Sequence, residues 1–118
     1  MPSTPSRPTE LRLRDILENI KLARTFVAGF SFKDFQSDRR TFYAVIRCLE
    51  IISEASRHLP PEIKARHEEL DWIDIAGAGN IYRHVYHAIS DEIIWQTVQQ
   101  DLEPLRVVVE QELERLRT

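Results

Sequence analysis

Apolar residues recur along this chain at helical, not strand, spacing. From residue 11 to 27, Leu13, Ile16, Leu17, Ile20, Ala23 and Val27 fall three or four apart and make one face of a helix. The stripe ends at Gly29, a residue suited to the left-handed turn that closes helices. Ser31, with Asp34 three residues later, forms a short capped turn. A second stripe of Phe42, Val45, Ile46, Leu49, Ile52 and Leu59 predicts a long helix capped by Ser37, running through Ala55 and stopped by Pro60-Pro61. Pro61 is at home in a first helical position and opens a short helix over residues 61–67. Asp71 is placed to cap the next helix, and Ser90 or Asp91 the last one. That last helix has Ile93, Ile94, Val98, Leu102, Leu105, Val109, Leu113 and Leu116 as its apolar face. Pro104 lies within it and removes the amide that would bond the carbonyl of Gln100, so a kink or two abutting helices is expected. Strand content should be near zero. The pattern predicts an all-α, four-to-five-helix up-and-down bundle with short connections.

A chain of 118 residues suits one domain. At this size folding buries roughly two-thirds of the unfolded surface, enough for a core without staples. The first nine residues include Pro2, Pro5 and Pro8 and no apolar run; they are assigned to a tail, with the domain over residues 10–118. The single cysteine, Cys48, has no intrachain partner, which favours a reducing, cytoplasmic setting. No apolar run reaches the length of a membrane span. The formal charge of −3 excludes a broadly basic nucleic-acid coat. Residues 91–118 carry seven acidic groups against three arginines, so the region around Arg83 is comparatively basic. An RNA partner would have to bind at a small, focused site.

The candidate chemistry is concentrated in residues 72–87, WIDIAGAGNIYRHVYH. If residues 80–87 are helical, Asn80, Arg83, His84 and His87 lie at i, i+3, i+4 and i+7 on one face. An ordinary core face would be apolar there. Arg83 offers a permanent fork of donors, and histidines titrate near neutral pH. RNA is cut without metal when a base deprotonates a 2′-hydroxyl, the oxygen attacks the adjacent phosphorus, and a cation stabilises the added charge. His84 and Arg83 supply both groups. Other features are bland: His58 and His67 fit surface or hydrogen-bonded histidines, and Tyr82 and Tyr86 fit core packing with a polar tip. His84 and His87 have no cysteine near them and no Glu-x-x-His pair on a second helix, so no metal is assigned. Gly77 and Gly79 lack the Gly-Lys-Ser/Thr ending of a phosphate loop.

Three blocks resemble the HepT-like proteins, a branch of the HEPN superfamily of small helical ribonucleases. Residues 44–55, AVIRCLEIISEA, are similar to the family's AVIRNLEIIGEA. Residues 72–77, WIDIAG, resemble PWREIAG, and residues 92–98 with Asp101-Leu102 resemble EIVWETV…DL. Block order and spacing agree as well. The resemblance implies a HEPN-like bundle and a homodimer whose motif helices meet in a shared cleft. It also implies pairing with a minimal nucleotidyltransferase antitoxin. The activity implied is a metal-independent endoribonuclease toxin, without cofactor, acting on an RNA substrate through Arg, four to six residues, then His-x-Tyr. On this chain the histidine is His84, the tyrosine is Tyr86, and Asn80 is the asparagine that commonly follows the arginine. Tyr86 is then the acceptor for AMP from the antitoxin.

The chain departs from that motif at Gly79, which stands where the arginine belongs. Arg83, four residues on, is displaced along a helix by about 6 Å and turned by about 40°. Its side chain is long enough to reach back. The expectation is therefore that Arg83 serves with His84 as the catalytic pair, with Asn80, Tyr86, His87 and Arg47 supporting or binding RNA. Gly79→Arg combined with Arg83→Ile is expected to restore part of the activity lost with Arg83. The rival reading is a catalytically inactive module that holds a nucleotide, RNA or a nucleotidyltransferase.

Overall fold

The computed structural model describes residues 6–84 and 90–118, with side chains from residue 8 onward and without that of His84. The elements among them are α1 (Ser6–Phe26), α2 (Phe32–Ser37), α3 (Arg39–Arg57), α4 (Pro61–Arg66) and α5 (Trp72–His84), then α6 (Asp91–Gln96), a π-helical turn (Thr97–Asp101) and α7 (Leu102–Arg117). No strand occurs among the described residues. The four long segments expected from periodicity are α1, α3, α5 and the run from α6 through α7. Helix α3 is central, packed against α1 and α5, while α7 packs against α1.

The stripes meet as the periodicity requires. Leu13, Ile16, Ile20 and Ala23 of α1 are fully buried against Phe42, Val45, Leu49 and Ile52 of α3 and Leu105 and Val109 of α7. Each such side chain contributes about 1.5–3 kcal/mol on leaving water. Phe35 on α2 closes one end of the core, its ring 5.7 Å from Phe42 and 5.5 Å from Trp95. Gly29, at φ 78°, takes the left-handed turn after α1.

Several boundaries differ from expectation. Helix α1 starts at Ser6, inside the segment assigned to the tail; Pro8 falls in the first turn, where a missing amide costs nothing. The cap of α3 is Asp38, not Ser37: its carboxylate accepts from the Thr41 amide at 3.0 Å, while Ser37 ends α2. Ile93 and Leu116, assigned to the apolar face, are exposed. Pro104 does separate two helices. The Leu102 amide bonds the Thr97 carbonyl five residues back, and this wide turn restarts the helix so that Pro104 lies in the first turn of α7.

A polar anchor fixes the start of α5. Glu112 on α7 is buried and accepts from Arg66 at 2.7 and 3.1 Å and from the His67 ring at 2.6 Å. The His67 carbonyl in turn accepts from the Trp72 indole at 2.9 Å. Arg66 first, and His67 after it, hold the Glu112 carboxyl below the usual glutamate range against the opposing effect of burial. A carboxylate with a depressed folded pKa stabilises above its unfolded pKa, and that contribution is lost as pH falls through the folded value. Glu112→Gln should therefore lose about 1.5–3 kcal/mol at neutral pH in urea titrations. The gap to the parent should narrow once pH drops below the usual glutamate range. A gap that stays constant into acid would contradict this assignment.

Candidate functional site

Helix α5 begins at a carboxylate cap, with Asp71 accepting from the Asp74 amide at 3.1 Å. The neighbouring Asp71 carboxyl raises the Asp74 pKa. Trp72, Ile75 and Tyr82 turn toward the core, while Ile73, Gly77, Asn80 and Ile81 are exposed. Burial, with Asp101 adding, pushes the Tyr82 phenol up, so it stays protonated and acts as a packing group.

The closest approach to α3 is at Ser53. Its hydroxyl donates to the Ala76 carbonyl at 2.8 Å and accepts from the Gly79 amide at 2.9 Å. Gly79 is buried there. A Cβ on residue 79 would stand 2.8 Å from Ser53 Oγ, closer than such atoms come, and 3.1 Å from Ser53 Cβ, a tight contact.

One turn further on, Arg83 bends back. Its Nη2 donates to Asn80 Oδ1 at 3.0 Å, and its Nη1 lies 3.9 Å from the point a Cβ on residue 79 would occupy. Among the described residues no carboxylate lies within ion-pair distance of this guanidinium, so its remaining donors are open. Arg47 on α3 donates to Glu50 at 3.3 Å and is otherwise well exposed. Arg83 and Arg47 share a crevice of about 170 Å³ with Arg12, Asp15, Glu50 and Glu54. Three arginines face three carboxylates there. Glu54 is tied to His58 at 3.0 Å, a contact that lowers its pKa. An anion would therefore be held by the outward donors of Arg47 and Arg83, not by a general positive field.

Of the site residues read from sequence, Arg83 on α5 and Arg47 on α3 line the same crevice, and Asn80 bonds Arg83. His84 is the last residue of α5, next to Arg83; its side chain, and Tyr86 and His87 altogether, lie outside the described residues. His58 is an exposed surface histidine, but His67 is buried in the Glu112 anchor. Ser53 and Glu112 were not singled out by sequence reasoning. A polar residue inside the apolar stripe of α3 was the only local signal for Ser53. Among the described residues no group of three or more His, Cys, Asp or Glu side chains is arranged to hold a metal ion. No described helix is long and apolar enough to cross a membrane.

The model of the ribonuclease HepT-like family matches residues 16–112. A protein of Thermococcus cleftensis described as "Probable ribonuclease HepT" is 38% identical over 94 residues, covering 80% of this chain and 86% of the relative. A "Putative RNase" of Caldanaerobacter subterraneus is 34% identical over 103 residues, covering 87% of this chain and 92% of its own length. Another "Putative RNase", from Methanocaldococcus jannaschii, is 32% identical over 104 residues, covering 88% and 95%. No solved structure matches the chain significantly. With the match running through α1, α3, α5 and most of α7, the chain belongs to the ribonuclease HepT-like family.

Proposed function

We propose that this protein is an endoribonuclease and the toxin half of a toxin–antitoxin pair. The observation that carries the reading is the placement of Arg83. Its guanidinium, steadied by Asn80, folds back toward the side-chain position that Gly79 leaves vacant, where the family motif has an arginine. In this reading His84 takes the proton of a 2′-hydroxyl, and that oxygen bonds to the adjacent phosphorus. The 5′-oxygen of the next nucleotide leaves with a proton, giving a cyclic phosphate and a free hydroxyl. Arg83 stabilises the charge that accumulates on the phosphoryl oxygens, and Arg47 holds the strand across the crevice. No metal or cofactor enters these steps. Removing one charge that stabilises a transition state costs roughly a hundredfold in rate. Arg83→Ala and His84→Ala should each lose at least that much cleavage of a mixed RNA pool in EDTA. Parental cutting by Arg83→Ala would refute the role of Arg83, and loss confined to Arg47→Ala would move the role to Arg47.

A non-catalytic binding module is the second reading, favoured by Gly79 itself and by the carboxylates of the crevice. A wild-type protein that binds RNA or a nucleotidyltransferase without cutting in the same assay would establish it.

The exposed side of α5 supports a homodimer. Ile73 and Ile81 are 85% and 53% exposed, and with Gly77 between them they stand at successive turns along one face. Apolar groups on the site helix are better covered by a second copy, which would bring two sets of Arg83 and His84 to one groove. Light scattering at micromolar concentration should give a dimer for the parent and a monomer for Ile73→Asp with Ile81→Asp. A monomeric parent contradicts this.

Control is assigned to Tyr86, as acceptor of AMP from a nucleotidyltransferase antitoxin. The phenol oxygen would attack the α-phosphorus of ATP, lose its proton and release pyrophosphate. A bulky anion two residues beyond His84 in the chain would then repel and block RNA. Intact-mass analysis after incubation with the partner, ATP and Mg²⁺ should show added AMP that disappears in Tyr86→Phe. An unmodified mass, or label on Tyr82 or Tyr43, would leave inhibition to complex formation alone.

A further inference from the structure

The contact between Ser53 and Gly79 does more than pack two helices. Ser53 Oγ bonds two backbone groups of α5, the Ala76 carbonyl and the Gly79 amide, within a single turn. Two bonds from one atom fix both the rotation of α5 about its axis and its position along α3. The same atom excludes a side chain at residue 79, since a Cβ there would meet it at 2.8 Å. Rotating the hydroxyl away breaks both bonds and leaves Ser53 Cβ, 3.1 Å from the intruding atom and fixed to the α3 backbone. Relief then costs both bonds to α5 and a further shift of a few tenths of an ångström between α5 and α3, a helix pair whose packing includes Ile75 and Tyr82. Next along the helix, Arg83 is fixed by the same geometry, because Asn80, its partner at 3.0 Å, follows Gly79 directly.

We propose that Ser53 is a positioning residue: it locks α5 onto α3 at Gly79, bars any side chain at that position, and so assigns the guanidinium of the site to Arg83. The lock itself is independent of the proposed activity; the assignment to Arg83 rests on the ribonuclease reading. It also revises the expected exchange. Gly79→Arg with Arg83→Ile will not restore cutting while Ser53 remains, because the new arginine has no room for its own Cβ.

Two measurements separate the parts. The first is a thermal double-mutant cycle of Ser53→Gly and Gly79→Ala. Gly79→Ala should lower the Tm by about 5 °C or more in the parental background and by little in the Ser53→Gly background. Equal losses in both backgrounds overturn the lock, whatever the protein does to RNA. The second is RNA cleavage in EDTA by Arg83→Ile, by Gly79→Arg/Arg83→Ile, and by the same double change with Ser53→Gly added. The triple variant should cut on the order of tenfold faster than the other two, through kcat with KM nearly unchanged. If the parent cuts and the triple variant does not gain, Ser53 does not govern where the cation sits, and the proposal falls. A parent that does not cut, together with a coupled thermal cycle, upholds the lock and refutes the ribonuclease reading.

Discussion

Most of the packing of α5 is against one neighbour, α3, and the separation of the two helices is set where a serine hydroxyl meets a bare backbone. Everything placed in the candidate site depends on that distance. Asn80, Arg83 and His84 all follow within five residues of Gly79, so a shift of α5 carries them together. Arg47 and Glu50 stay behind on α3. The crevice is therefore a gap between two packed helices, and its width depends on how closely they meet at Ser53 as well as on its own lining residues.

The other end of α5 is held in a different way. Arg66, which is exposed, and His67 both bond the buried Glu112 carboxylate and join the end of α4 to α7, and Trp72 hangs from the His67 backbone. Such clusters add little net stability over an apolar replacement of the same shape, because desolvation offsets attraction. Their value lies in direction. An apolar contact would let Trp72 slide, whereas its indole bond to the His67 carbonyl fixes where α5 starts. One polar anchor sets the origin of the helix, and Ser53 sets its depth.

Much of this was legible in the sequence, and the failures have identifiable causes. The stripes of α1 and α3 could be read because each repeats over four or more turns with few polar interruptions. Ile93 was misassigned because α6 is only six residues long, too few for periodicity to tell one face from another. Pro104 announced a break, yet the device that makes it is a wide turn assisted by the Thr97 hydroxyl, which donates to the Ile93 carbonyl at 2.9 Å. No local pattern marks such a turn. His67 is the hydrogen-bonded kind of the two histidine readings, but its partner, Glu112, 45 positions away, had no local signal. Family resemblance pointed to Asn80, His84 and the glycine at position 79, but not to the serine that faces it. A serine within an apolar stripe looks the same whether it faces water or the backbone of another helix.

The quoted family pattern has glycine where this chain has Ser53 and arginine where it has Gly79. The geometry imposes an order on how a lineage could pass from one arrangement to the other. A serine arriving first would have met an occupied position, whereas loss of the arginine first leaves two glycines, which fit. The serine could then settle into the space and bond both backbone groups it found there. On the proposed lock, the return path is then uphill, since an arginine coming back would crowd the serine and cost both of its bonds. The pair behaves as a historical ratchet: two single-residue changes, each small alone, whose sequence in time is written into the spacing of two helices.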